Sequence, residues 1–205
     1  MQGKKTGGPE TARRIKRSQP AVAVILIMEK RDEEKVFEAL KSGASTCLTK
    51  DTEPEELLDI IRVVSQGSLP ILDELMTPGL AAMALEEFES LKGISERMDN
   101  LLARPSQKEA QVLEGFAAGN DIEQVAVKVG VSEDNVRRHL RQVLNKLVAN
   151  DQAEAVIEAA QRTLPAIIRP LKKDGKPVEY VTKAEFNEFK DQLMERLKSL
   201  LGGLS

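Results

Sequence analysis

The chain has 205 residues, of which 41% are hydrophobic and 31% charged, with a formal net charge of −3. This is the composition of a soluble globular protein of one or two domains, and not of a polycation. The longest apolar run, residues 21–28, is far below the roughly 18 residues of a membrane span, and charged residues 29–32 follow it without a signal-peptide cleavage site. A single cysteine, Cys47, and a single histidine, His139, exclude an internal disulfide and leave little material for a metal site or a histidine-based triad. We therefore expect a cytoplasmic protein without metal or cofactor, in which no small-molecule ligand site is evident.

A strand and helix pattern follows the basic segment 1–20. A buried strand is predicted over the apolar run AVAVILIM, and a helix that ends at Gly43 over DEEKVFEALKSGAS. A second strand is predicted over residues 46–49, and a second helix over EPEELLDIIRVVSQGS. Two strands joined by a helix require a parallel pair with a right-handed crossover. We predict a β-α-β-α unit over residues 21–73.

Pro70 and Pro78 predict a break over residues 69–79, and in the linker segment, residues 74–103, one long amphipathic helix is predicted over residues 80–103. Its apolar side contains Phe88 and Leu91, which we predict to contribute to dimerisation. A two-stranded sheet leaves apolar surface uncovered, and we expect the β-α-β-α unit and this helix to form a dimerisation platform.

The C-terminal segment, residues 164–205, begins with Pro165 and Pro170, which predict breaks. Asp174-Gly175 between two extended stretches predicts a β-hairpin. A last helix after Thr182 carries an apolar stripe that suits either a self-association coiled coil or packing against the body. The stripe consists of Phe186, Phe189, Leu193, Leu197 and Leu200.

Residues 104–163 contain the pattern of a helix-turn-helix. Ser106 and Asp121 are N-cap residues of two successive helices, and Gly130 supplies a tight turn before Ser132 caps a third. The outward face of the third helix is basic near its start, where such a helix enters the major groove of DNA. The candidate DNA-binding residues are Ser132, Asn135, Arg137, Arg138, His139, Arg141 and Lys146. For His139, a phosphate contact and a packing or capping role both remain open, and Lys146 is placed for a backbone contact.

This region resembles the DNA-binding domain of LuxR/NarL-type regulators. The matching segments are Glu109–Leu113, Gly119, Val125–Ser132, Asn135–His139 and Lys146-Leu147. The resemblance implies that Arg137, Arg138 and Arg141 face DNA, and that residues 150–156 open a fourth helix for pairing on DNA, with Ala155 and Val156 at the contact. Asn135 replaces the usual threonine, and Ile122-Glu123 replaces a polar-basic pair. Residues 104–162 hold eight Lys/Arg and nine Asp/Glu, so we expect modest, salt-sensitive DNA affinity.

Residues upstream resemble the second half of a CheY-like receiver domain. Lys50 falls at the position of the lysine that contacts the phosphoryl group, whereas Met28 and Cys47 replace the two switch residues. The resemblance does not include the first three strands of a receiver domain. The acceptor aspartate and the acidic pair that binds Mg²⁺ belong to that part and have no counterpart in the matching residues. Lys50 is therefore expected to have a structural or surface role, and the receiver to be truncated and degenerate.

Together these patterns predict a mostly α protein with a small α/β part and a four-helix LuxR-type domain. The predicted function is a dimeric or higher-order, phosphorylation-independent transcriptional regulator that binds double-stranded DNA through recognition helix 132–147. It is not expected to be an enzyme or to bind membranes. An alternative is a protein-interaction module, or an antagonist that assembles with other regulators without tight DNA binding.

Overall fold

The computed structural model describes residues 7–91 and 102–168, together with positions 188, 191, 192 and 195. Residues 1–152 form one compact unit and residues 153–205 a second. The described elements are α1 (Gly8–Ser18), β1 (Ile25–Met28), α2 (Glu33–Lys41), β2 (Thr46–Thr49), α3 (Pro54–Ser65), a 3₁₀ helix (Pro70–Met76), α4 (Pro78–Ser90), α5 (Gln107–Ala117), α6 (Ile122–Val129) and α7 (Glu133–Ile168).

The predicted β-α-β-α unit is confirmed as β1, α2, β2 and α3. The two strands are parallel, with Ile25 opposite Thr46 and Met28 opposite Thr49. Helix α2 begins where the Asp32 side chain accepts the backbone N–H of Lys35, and its apolar positions face the interior. The result is a mostly helical protein with a small two-stranded parallel sheet.

One hydrophobic core joins the receiver-like elements to the helix-turn-helix. Helix α4 packs against α5 and the 3₁₀ helix, with Leu80, Ala81, Ala84 and Phe88 buried. Much of the apolar surface that we expected to be covered by a second copy is therefore covered within one chain.

The linker helix differs from its prediction. Helix α4 covers Pro78–Ser90 and not residues 80–103, and residues 102–106 are not helical. Prolines at 70 and 78 each start a short helix of their own, because proline suits the first turn of a helix and cannot continue one.

The third and fourth helices of the predicted four-helix domain form one continuous helix, α7. The sequence between them contains no glycine or proline that would end a helix. Asn150, expected near the start of a fourth helix, instead bonds through its side chain to the backbone of Ala103. The helix also runs through position 165, where we expected a break.

The predicted hairpin at Asp174-Gly175 and most of the last helix lie outside the described residues. Within that segment, positions 188, 191, 192 and 195 are helical.

Candidate nucleic-acid interface

Helices α5 and α6 each begin at a capping box. The Ser106 side chain accepts the N–H of Glu109 at 3.3 Å, while Glu109 accepts the N–H of Ser106 at 2.7 Å. Asp121 and Gln124 make the equivalent exchange at 2.8 and 3.0 Å. These reciprocal bonds satisfy backbone donors that a helix start leaves without partners. Helices α5 and α6 therefore begin at the residues that the sequence predicted.

The turn between α6 and α7 depends on Gly130. Its φ of 70° lies in the left-handed region, which glycine adopts without the steric penalty of a side chain. The N–H of Val131 donates to the carbonyl of Ala126 at 3.0 Å and closes the helix end. Ser132 then accepts the N–H of Asn135 at 3.3 Å through its hydroxyl. The predicted helix-turn-helix geometry is present.

Helix α7 separates an apolar side from a basic one over its first four turns. The residues at helical spacing on the inner side are buried, namely Val136, Leu140, Val143, Leu144 and Leu147. Arg137, Arg138 and Arg141 are exposed. The buried side holds the helix against α5 and α6, and the arginines lie near its N-terminal end, where major-groove contacts are made.

The arginine face borders a cleft of about 570 Å³ with the segment that follows α3. Its lining includes Ser68, Asp73 and the three arginines. Arg137 Nη1 donates to Asp73 Oδ1 at 3.0 Å. Asp73 is a residue that the sequence analysis did not single out, because only the tertiary fold brings it near the recognition helix.

Lys146 has a structural partner. Its Nζ donates to Oε2 of Glu109 at 2.5 Å, and Glu109 is buried. The same carboxylate closes the capping box of α5. The amphipathic spacing around Lys146 gave no indication of this pair, which joins residues 37 positions apart.

His139 is half-buried, and its Nδ1 is buried without a hydrogen-bond partner among the described residues. This location agrees with a packing role for one edge of the ring. Ser132 and Asn135 are engaged in the cap at the start of α7.

Lys50, at the position of the receiver lysine, pairs with an acidic side chain. Lys50 Nζ donates to Glu29 Oε1 at 2.8 Å, and both side chains are largely exposed. Cys47 is buried, and burial raises the pKa of its thiol. In the described part of the chain, no group of three or more His, Cys, Asp or Glu side chains is arranged to hold a metal ion.

The predicted dimerisation residues fall in different environments. Phe88 and Leu91 are 8% and 4% exposed inside the chain's own core, so a second copy would have to displace that packing to contact them. Ala155 is exposed and Val156 half-buried. The stripe from Phe186 to Leu200 lies outside the described side chains.

Two family models match this chain. Residues 106–159 match the model described as bacterial regulatory proteins of the luxR family, and residues 1–62 match the response regulator receiver domain. The chain belongs to the LuxR/NarL-type response regulators with a helix-turn-helix. It is a DNA-binding transcription regulator and not an enzyme.

The relatives that the chain matches are named as transcriptional regulatory proteins and response regulators. The chain is 32% identical over 160 residues to the uncharacterized transcriptional regulatory protein YxjL of Bacillus subtilis (strain 168), covering 78% of this chain and 70% of the relative. It is 28% identical to the nitrate/nitrite response regulator NarL of Escherichia coli (strain K12), with coverages of 77% and 69%. The transcriptional regulatory protein DegU of Brevibacillus brevis is 26% identical, with coverages of 76% and 68%. No solved structure matches the chain.

No helix within the described ranges is long and apolar enough to cross a membrane.

Proposed function

We propose that this regulator binds double-stranded DNA as a dimer, with recognition helix 132–147 of each copy in a major groove. The observation that carries the proposal is the position of Arg137, Arg138 and Arg141. They are exposed on the first turns of a helix whose other side is fully buried. Long basic side chains at this position reach guanine edges and flanking phosphates.

Two-fold symmetry follows from this mode of binding. Two recognition helices related by a dyad contact half-sites about one helical turn apart, so the preferred site is a palindrome or near-palindrome. With eight basic and nine acidic residues over residues 104–162, little attraction comes from the domain as a whole. Affinity therefore depends on the local arginine face, and falls as salt rises.

We also propose that DNA binding is independent of phosphorylation. Lys50 pairs with Glu29 at an exposed position, and by resemblance Met28 and Cys47 replace the two switch residues. Treatment of the protein with acetyl phosphate and Mg²⁺ should leave its DNA affinity unchanged. A marked increase in affinity would refute phosphorylation independence.

The central test is fluorescence anisotropy against a randomised duplex pool at two salt concentrations. We expect saturable binding that selects a two-fold site and is lost in Arg137→Ala/Arg141→Ala. The matched control Lys30→Ala/Lys35→Ala removes the same charge from two exposed positions of the receiver-like unit and should retain selective binding. Equal loss in both variants would show that net charge, and not the recognition helix, determines binding.

A second function is supported by the Arg137–Asp73 pair. One of the DNA-facing arginines is bonded within its own chain, and the domain as a whole carries no positive excess. These features favour a protein-interaction module or an antagonist that assembles with other regulators. Absence of selective DNA binding in both the wild type and Asp73→Asn, in folded samples, would favour this function, and pull-down of partners would be the next experiment.

A further inference from the structure

The cleft beside the recognition helix has a basic wall and a mostly apolar wall. The basic wall lies on α7 and consists of Arg137, Arg138 and Arg141, with Asp134 among them. The opposite wall follows the end of α3 and consists of Val63, Ser68, Leu69, Pro70, Leu72 and Asp73. A volume of about 570 Å³ lies within the range of small-molecule sites, roughly 300–1,000 Å³. The sequence indicated no such site, because only the tertiary fold brings the two walls together.

The arginines of the basic wall are placed to hold a phosphate group. Residues three or four positions apart on a helix are surface neighbours, with Cβ atoms about 5–6 Å apart, and Arg141 has this spacing to both Arg138 and Arg137. Arg137 pairs with Asp73 across the cleft at 3.0 Å. Within the described ranges, neither Arg138 nor Arg141 has an acidic partner. A guanidinium group binds phosphate oxygens through two parallel N–H bonds, so these two arginines favour a phosphate group in the cleft.

The opposite wall is fixed by backbone hydrogen bonds and leaves groups free for a ligand. The N–H of Ser68 donates to the carbonyl of Val63 at 3.3 Å, and the N–H of Ile71 donates to the carbonyl of Ser45 at 3.1 Å. The Val63 side chain is 42% exposed. Among the residues that the structure describes, no group bonds to the Ser68 hydroxyl. This wall therefore offers apolar surface and one hydroxyl group to a bound molecule.

We propose that this cleft binds a nucleotide, with its phosphates on Arg138 and Arg141 and its base against Val63 and the apolar residues after α3. Three arginines and two aspartates leave the lining with a single net positive charge, so charge alone provides little affinity. A nucleotide also uses the apolar wall, which an inorganic phosphate cannot do. The carboxylates of Asp73 and Asp134 can accept hydrogen bonds from ribose hydroxyls or from an amino group of the base.

Nucleotide binding at this position would regulate DNA binding. Arg138 and Arg141 cannot hold the phosphates of a nucleotide and contact DNA at the same time. Bound nucleotide therefore lowers DNA affinity by mass action. This competition rests on the proposed function, whereas binding of the nucleotide itself does not.

The first test measures nucleotide binding by the full chain in the absence of DNA. The probe is ADP labelled with an N-methylanthraniloyl group, followed by fluorescence anisotropy. We expect saturable binding that unlabelled ADP displaces. Arg138→Ala/Arg141→Ala should weaken binding at least about tenfold, because two charged hydrogen-bond donors are lost. The matched control Lys30→Ala/Lys35→Ala removes the same charge from exposed positions outside the cleft and should bind like wild type.

The second test changes the wall that is not part of the recognition helix. Val63→Gln replaces an apolar contact by a polar one and should weaken binding about threefold to tenfold. Leu58→Gln is its control, because Leu58 is also exposed on α3 but does not line the cleft. Ser68→Trp places a large side chain in the cleft and should abolish binding. Ser65→Trp, at an exposed position of α3, should not.

The third test adds DNA. Unlabelled ADP at about ten times its own Kd should raise the Kd of the wild type for DNA about tenfold. The same addition should leave the DNA affinity of Ser68→Trp unchanged, since that variant does not bind the nucleotide.

Three outcomes would overturn the proposal. Absence of saturable binding to folded wild type at millimolar nucleotide would remove the site. Equal binding by wild type and Ser68→Trp, or displacement of the probe by inorganic pyrophosphate as effectively as by ADP, would show that the arginines attract any polyanion. DNA affinity that is unchanged by bound ADP would remove the competition. The first two tests contain no DNA, so their failure is distinct from failure of DNA binding.

Discussion

Arg137 on the recognition helix and Asp73 in the 3₁₀ helix form an ion pair with 3.0 Å between Nη1 and Oδ1. The pair joins residues 64 positions apart. Their side chains are 53% and 64% exposed, so the pair lies in solvent and is weak. DNA must displace Asp73 before Arg137 can contact it, and the acidic side chain also opposes the approach of phosphates.

We expect Asp73→Asn to bind DNA up to about fivefold more tightly than wild type, since an exposed ion pair contributes at most about 1 kcal/mol. Asparagine keeps the shape of the side chain and removes its charge. The matched control is Glu55→Gln, which removes the same charge from an exposed position on α3. Anisotropy at fixed salt measures the difference, and equal gains in the two variants would attribute the effect to net charge alone.

The buried Glu109 depends on Lys146. We expect Lys146→Met to lower the free energy of unfolding by about 3 kcal/mol, because it leaves a buried carboxylate without its cation. Glu109→Gln combined with Lys146→Met should lower the free energy of unfolding by less, since a neutral amide oxygen can still accept the N–H of Ser106. Urea denaturation provides the measurement. Lys128→Met, at an exposed position of α6, is the control, and a similar loss there would contradict a special role for Lys146.

Arg13 joins three helices of the compact unit. Its Nε and Nη2 donate to Asp151 at 2.7 and 2.8 Å, and Nη2 also donates to Glu38 at 2.6 Å. Burial by itself would lower the pKa of Arg13, but the hydrogen bonds and charges of its two partners outweigh burial and raise it. We expect Arg13→Met to lower the free energy of unfolding by about 2 kcal/mol at neutral pH. Arg14→Met, at an exposed position of the same helix, should have little effect, and equal losses in the two variants would contradict the prediction.

The same network makes stability depend on pH. Burial by itself would raise the pKa of Glu38, but Arg13 and Lys41 outweigh it, and the pKa lies below its ordinary value of 4.5. A carboxyl whose pKa is lower in the folded state contributes stability above its unfolded pKa and loses it as pH falls through the folded pKa.

Wild type should therefore lose stability as pH falls below about 4.5, and the loss should be smaller in Arg13→Met. Urea midpoints of both proteins at about pH 6 and about pH 3.5 make the comparison. An equal pH dependence of stability in the two proteins would show that the Glu38–Arg13 pair does not cause the loss at low pH.

The Asn150 side chain on helix α7 hydrogen-bonds to the segment before α5. Its side chain accepts the N–H of Ala103 at 2.7 Å and donates to the carbonyl of the same residue at 2.9 Å. We expect Asn150→Ala to cost about 2 kcal/mol, because two backbone groups lose their partner. Faster hydrogen exchange at the Ala103 amide would accompany the loss. The control is Asn145→Ala, at an exposed position of the same helix, and an unchanged exchange rate in Asn150→Ala would contradict the proposed contact.

Prediction from sequence succeeded where the cause is local. The β-α-β-α unit follows from the lengths of the apolar runs, and the starts of α5 and α6 follow from caps three residues from their partners. It was less accurate where a helix end depends on distant contacts. Asn150 has the side chain of a cap residue, but its partner is Ala103, 47 positions away, and α7 continues through Asn150 where we predicted a new helix.

The sequence by itself therefore determined the class of the protein, since the helix-turn-helix depends on capping, turn and periodicity within about 40 residues. Only the tertiary structure decided that α4 is part of one shared core, that Arg13 bonds to Asp151 across 138 positions, and that Asp73 lies against Arg137. The physical reason is that such contacts depend on how whole elements pack together to bury apolar surface. No single residue pair in the sequence specifies that packing.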